Sequence, residues 1–110
     1  MEPVTVVMCN VPDMDVAAAI ARTLVGKRLA ACVNLLPGVR SVYRWQGQIE
    51  ETSEVTLLIK TAASRYDEVE LEIRSIHPYE VPEIICLPLQ AGLAPYLEWV
   101  VQESRKELNA

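Results

Sequence analysis

The chain has one histidine, His77, in 110 residues, and its four glycines, Gly26, Gly38, Gly47 and Gly92, stand far apart from one another. Scattered glycines exclude the grouped phosphate-cradling loops of nucleotide sites. With one imidazole and no G-x-S-x-G, a nucleophilic triad has little to stand on. Basic residues are in the minority, 10 Lys and Arg against 15 Asp and Glu, for a net charge of −5. That balance argues against a nucleic-acid partner, whose phosphate backbone needs a basic face, and suits cations better than polyanions. The three cysteines, Cys9, Cys32 and Cys86, are odd in number, widely spaced and form no C-x-x-C. They exclude a disulfide framework and a zinc finger, and each reads as a small buried apolar residue. No apolar run approaches the ~20 residues of a membrane helix. Met1-Glu2-Pro3 runs straight into "VTVVMC" with no basic start or small-residue cleavage site, so the expected location is cytoplasmic, with no membrane contact.

What is abundant is apolar material. Hydrophobic residues make up 51% of the chain, a large share for the single domain, 1–110, that this length allows. Some of it is expected to face another subunit.

The hydrophobic period alternates along the chain. "VTVVMCN", 4–10, reads as a buried strand. Pro12-Asp13 opens a helix with Val16, Ile20 and Leu24 on its inner stripe beside Ala17, Ala21 and Val25. Residues 29–61 read as two long strands joined at Gln46-Gly47-Gln48, with a break or bulge at Pro37-Gly38. This ribbon far exceeds the usual strand of roughly 5 to 6 residues, and a lone two-stranded extension is marginal in water, so its tip is expected to pair with a neighbouring subunit. Ser64 and Asp67 resemble a capping box opening a second helix, with Val69, Ile73 and Ile76 inward, which stops at His77-Pro78. "EIICLPL" is a further strand with Pro88 at an edge or bulge. A last helix follows Pro95, with Leu97, Val100, Val101 and Ser104 inward and Trp99 alongside. Strand, helix, strand, strand, helix, strand is the split βαβ, ferredoxin-like α+β arrangement, here with an extra C-terminal helix.

Chemistry-bearing residues are few. His77 ends a helix, where the dipole favours a cation. The same imidazole, with Glu80 and Glu83 on a proline-stiffened segment just beyond, could bind a metal or share a proton. Cys9, near the end of the first strand, is the second candidate: a thiolate with an imidazole favours soft or borderline ions, copper above all. Arg40, Arg44, Tyr43 and Trp45 lie opposite Glu50, Glu51 and Glu54 across the hairpin and read as cross-strand pairs that fix the register. Lys60 reads as an edge or interface lysine, with anion binding as the other possibility. An enzymatic reading would use His77 as general base, but there is no arginine-bearing phosphate loop.

"KRLAACVNLLPGVRSVYRWQGQIEETSEVTLLIKT", "HPYEVPEI" and "PYLEWV" resemble, in order and spacing, the CutA family of divalent-cation tolerance proteins, and the resemblance covers almost the whole chain. It implies a small, cytoplasmic, non-enzymatic protein of ferredoxin-like fold, assembled as a homotrimer in which the hairpin strands pair between subunits. It also implies copper(II) or another divalent cation as ligand, with Cys9 and His77 as the metal residues. Some members carry a pair of histidines before the proline; this chain has Ile76-His77. The family looks like the trimeric PII signalling proteins, so the alternative is a PII-like module that holds a small effector in clefts between subunits, with Lys60 and the Glu80–Glu83 loop as its polar groups.

Overall fold

The computed structural model describes residues 2–106. The elements are β1 (Val4–Val11), α1 (Met14–Gly26), β2 (Cys32–Trp45), β3 (Gln48–Ala62), α2 (Tyr66–Ile76), β4 (Ile84–Pro88) and α3 (Ala94–Glu103). The strands form one sheet in the order β2-β3-β1-β4, every pair antiparallel. This is the expected ferredoxin-like α+β order, with β1 and β3 in the centre and α3 added at the end. Among the described residues no helix is long and apolar enough to cross a membrane.

Alternation along the central strands divides the apolar residues between the two sheet faces. Val7, Cys9 and Val11 of β1 pair in register with Ile59, Leu57 and Val55 of β3, and this face is sealed by Ile20 and Leu24 of α1 and Val69 and Ile73 of α2. Asp13 starts α1 as its side chain accepts the Val16 N–H at 2.9 Å. Val25, expected beside the inner stripe, is exposed: it lies about 100° round the helix from buried Leu24, beyond the sheet-facing arc.

The second face is covered at one end only. Val100 and Val101 of α3 pack on Val4 and Ala62. Beyond them Val6, Met8 and Leu58 are half-buried, and Ile85 and Leu87 of β4, which pair with Met8 and Val6, are exposed. An apolar strip thus runs across the open face of three strands.

β2 begins at Cys32, later than Leu29, because the Leu29 and Ala30 N–H groups turn back to the Leu24 carbonyl and close α1. The expected bulge is present: the β2–β3 register shifts between Leu36 and Val39, with Gly38 at φ +77°. Seven cross-strand pairs, from Val39–Glu54 to Trp45–Gln48, extend past the last residue of β1, a projection of about 20 Å at strand rise. Its two-residue turn holds Gln46 at φ +51° and Gly47 at φ +79°, so both central residues are left-handed, as type I′ hairpins require.

Ser64 does not form a capping box. A 3₁₀ turn over Ala63–Arg65 precedes α2, the N-cap position falls on Arg65, and no side chain caps it. Instead Arg65, 6% exposed, donates to Glu68 Oε1 at 2.6 Å and to the Arg28 carbonyl at 3.3 Å. Of the cysteines expected to be buried, Cys9 is, Cys32 is half-buried and Cys86 is exposed. Cys86 lies on the edge strand, which among the described residues has a neighbour only on its β1 side.

Candidate functional site

His77 is the C-cap of α2. Its N–H still donates to the Ile73 carbonyl at 2.8 Å, but its backbone is extended (φ −66°, ψ 132°), as the residue before a proline must be. The ring turns inward and is 7% exposed. Nε2 lies 2.7 Å from the Asn10 carbonyl oxygen, and Nδ1 accepts the Tyr79 N–H at 3.1 Å. A carbonyl cannot donate, so the proton sits on Nε2 and the Nδ1 lone pair is taken. The Tyr79 ring packs against the imidazole at a centroid distance of 4.8 Å. Ile76, the residue before His77, packs against the main core.

Cys9 faces that core and has no solvent exposure. Burial pushes its thiol from the usual 9.0 up to about 12, with the Glu83 and Glu54 carboxylates adding to the shift. The sulfur makes only a long contact of 3.9 Å to the Asn10 carbonyl. The two expected metal residues therefore converge on the backbone of one residue, Asn10. Copper would need a thiolate where there is a protonated thiol, and a free nitrogen lone pair where there is a hydrogen bond. As they stand the two residues do not fit the ion, and among the described residues no group of three or more His, Cys, Asp or Glu could hold a metal.

The same loop builds something else. Tyr79 Oη donates to Glu54 Oε2 at 3.2 Å. Burial first, then the Glu54 carboxylate, pushes the Tyr79 phenol up to about 12, so it stays a donor at neutral pH. The Asn10 side chain accepts from Thr56 Oγ1 at 2.7 Å and donates to Glu83 Oε1 at 3.3 Å. Together these bonds fix a cleft of about 460 Å³ at one end of the open sheet face, walled by Tyr43 and Trp45 of the ribbon and by Tyr79, Glu80 and Glu83 of the loop, with Glu54 on β3. Its size falls within the range of small-molecule sites. No lysine, arginine or histidine lines it.

Glu54 was expected to pair across the hairpin with the ribbon arginines. Its partner in register is Val39, and the arginine–carboxylate contact goes from Arg40 to Glu51 at 2.9 Å. The turn causes this: it takes two residues, Gln46 and Gly47, so the ribbon pairs run from Trp45–Gln48 to Val39–Glu54, whereas a three-residue joint through Gln48 would set Arg40 opposite Glu54. Lys60 lies outside the cleft and donates to the Asn34 side chain. A larger hollow, about 620 Å³, lies between the end of α1 and α2. Two of the cations that line it are paired within the fold, Lys27 with Glu72 and Arg65 with Glu68, each at 2.6 Å.

The antiparallel sheet with α1 and α2 on one face and α3 at one end of the other, the overlong ribbon and the cleft at its root define a small ferredoxin-like α+β domain with an extended hairpin. The family model described as CutA1 divalent ion tolerance protein matches residues 5–103, and the chain belongs to that family. It is 46% identical over 95 residues to the divalent-cation tolerance protein CutA of Thermus thermophilus, covering 86% of this chain and 92% of that one. It is 50% identical over 99 residues to protein CutA of Mus musculus, covering 90% of this chain but spanning only 56% of the mouse protein. The crystal structure of CutA1 from Oryza sativa superposes with a TM-score of 0.92 at 38% identity, over 96% of this chain and 97% of that one.

Proposed function

We propose that this chain serves divalent-cation tolerance as a non-enzymatic homotrimer. The observation that carries the assembly is the open sheet face: Val6, Met8, Leu58, Ile85 and Leu87 lie in adjacent register without cover, beside a ribbon whose Val42 and Ile49 are 62% and 69% exposed. A contiguous apolar strip with a paired-strand extension is what a second copy of the chain would bury. The trimeric state follows from the family resemblance, and native mass spectrometry tests it: a mass of three chains is expected, and a monomer at micromolar concentration would defeat the proposal.

Within that assembly Cys9 and His77 are the residues to test as copper(II) ligands. Binding there requires the Cys9 thiol to lose its proton and the ring to release either the Asn10 carbonyl or the Tyr79 N–H. Calorimetric titration of copper into wild type, Cys9→Ala and His77→Ala decides it. Loss of one stoichiometric site in both variants supports the assignment; unchanged binding removes it.

The cleft favours a second reading, a PII-like module that holds a small effector at the subunit boundary. Its support is a pocket of fixed hydrogen bonds at the root of the ribbon, at the end of the same open face. A thermal-shift screen of the assembled protein over neutral, anionic and cationic metabolites tests it.

A further inference from the structure

Charge inside the cleft is one-sided. Glu54, Glu80 and Glu83 all line it, and none of the three has a cationic partner among the described residues. Glu54 matters most, because it is 8% exposed. Oε2 receives only the neutral Tyr79 hydroxyl, and Oε1 has no hydrogen bond among the described residues. Oε1 keeps some contact with solvent, and a carboxylate this little exposed with no counter-charge is poised to take up a cation. The walls that complete the cleft are aromatic: Trp45 and Tyr43 from the ribbon, 47% and 41% exposed, and Tyr79 opposite.

These two features select among cations. An inorganic divalent ion needs several oxygen ligands and gains nothing from ring faces. Here Glu54 and Glu83 already accept from Tyr79 and Asn10, and no trio of acidic, cysteine or histidine groups is arranged to hold a metal among the described residues. An alkylammonium uses both features, with its charge against the carboxylate and its methyl or methylene groups against the rings. We infer that the cleft between the ribbon and the Tyr79–Glu83 loop binds a small organic ammonium ion, with Glu54 as counter-ion and Trp45 and Tyr43 as the aromatic wall. The inference rests on the PII-like reading of this cleft and names its ligand class.

The probes are tetramethylammonium and butylammonium chloride, titrated by calorimetry into the assembled protein at constant ionic strength, with 3,3-dimethylbutan-1-ol as the neutral shape control. Saturable binding of an ammonium, absent for the alcohol, is expected. Glu54→Gln, which can still accept from Tyr79, should weaken it by about tenfold or more, and Trp45→Leu, at an exposed ribbon position, by a similar factor. Equal magnesium chloride should not compete. Binding of the alcohol as tight as that of the ammonium, retention in Glu54→Gln, or stoichiometric competition by magnesium would each overturn the inference. If neutral or anionic metabolites stabilise the protein and no ammonium binds, the ligand class is wrong while the module stands. If no organic molecule of any charge binds, both fail.

Discussion

The His77 ring bridges the end of α2 to β1 by a 2.7 Å contact from Nε2 to the Asn10 carbonyl oxygen, while its other nitrogen holds the Tyr79 N–H at 3.1 Å. One side chain thereby ties three segments together, and both of its polar atoms are used inside the protein. Replacing it with alanine leaves a buried carbonyl and a loop amide without partners, at about 1–3 kcal/mol each, less whatever water recovers. His77→Ala should therefore lose about 2–4 kcal/mol in urea unfolding at fixed protomer concentration. The Tyr79 amide should also lose its hydrogen-exchange protection. A loss below about 1 kcal/mol with the amide still protected would mean that the ring is not the tie described.

Alkaline pH tests the burial of Cys9. Its thiol is pushed from 9.0 to about 12 in the folded chain, so above pH 9 the unfolded chain loses this proton while the folded chain keeps it. The unfolded state then binds fewer protons, and stability falls as pH rises. The stabilisation is fully present below about pH 9 and is lost on the way to 12. Tyr66 and Tyr79, both pushed up to about 12 from 10.0, act in the same direction at higher pH. Cys9→Ala isolates the thiol: the urea-midpoint difference between wild type and variant should shrink between pH 8.5 and about 10.5. A constant difference across that interval would show that the sulfur is not held protonated.

The ribbon turn makes a smaller, local prediction. Gln46 and Gly47 both have positive φ, a region that costs an L-residue roughly 1–2 kcal/mol. Gln46→Asn should stabilise by about 0.5 kcal/mol, because asparagine tolerates this backbone better. Gly47→Ala should cost about 1 kcal/mol, although a Cβ there meets no atom within 4 Å. Equal stabilities in thermal unfolding would contradict the assigned turn.

Periodicity made the sheet and helices legible, since Ile20, Leu24, Val69, Ile73, Val100 and Val101 are buried where their spacing places them. Local rules failed where a longer-range contact outweighed them. Ser64 and Asp67 have capping-box spacing, but Arg65 is drawn inward to the Arg28 carbonyl, and the chain enters α2 through a 3₁₀ turn. Cys86 sits in an apolar run, yet a run does not reveal that its strand is at the sheet edge. His77 and Cys9 were visible as the groups with chemistry. What engages them was not, because Asn10, Thr56 and Glu83 are brought together from positions up to 73 residues apart. Glu54 was misplaced by the turn: the joint expected over Gln46-Gly47-Gln48 takes only Gln46 and Gly47, and that one step of register sets Val39 rather than Arg40 opposite Glu54.

Self-association through the open face can be separated from folding. Ile85 is 46% exposed on β4 and pairs with Met8 in the centre of the uncovered strip, so a charge there costs little within one chain. Buried against a second copy, the same charge would forfeit roughly 1.5–3 kcal/mol of apolar burial per subunit and add the cost of desolvation. Ile85→Asp should therefore shift the native mass from three chains towards one at micromolar concentration, with far-UV circular dichroism unchanged. The control is Leu71→Asp, a large apolar residue 69% exposed on α2, which should leave the assembly intact. A variant Ile85→Asp that remains fully assembled would move the contact surface off this face, and with it the reason for placing the cleft at a subunit boundary.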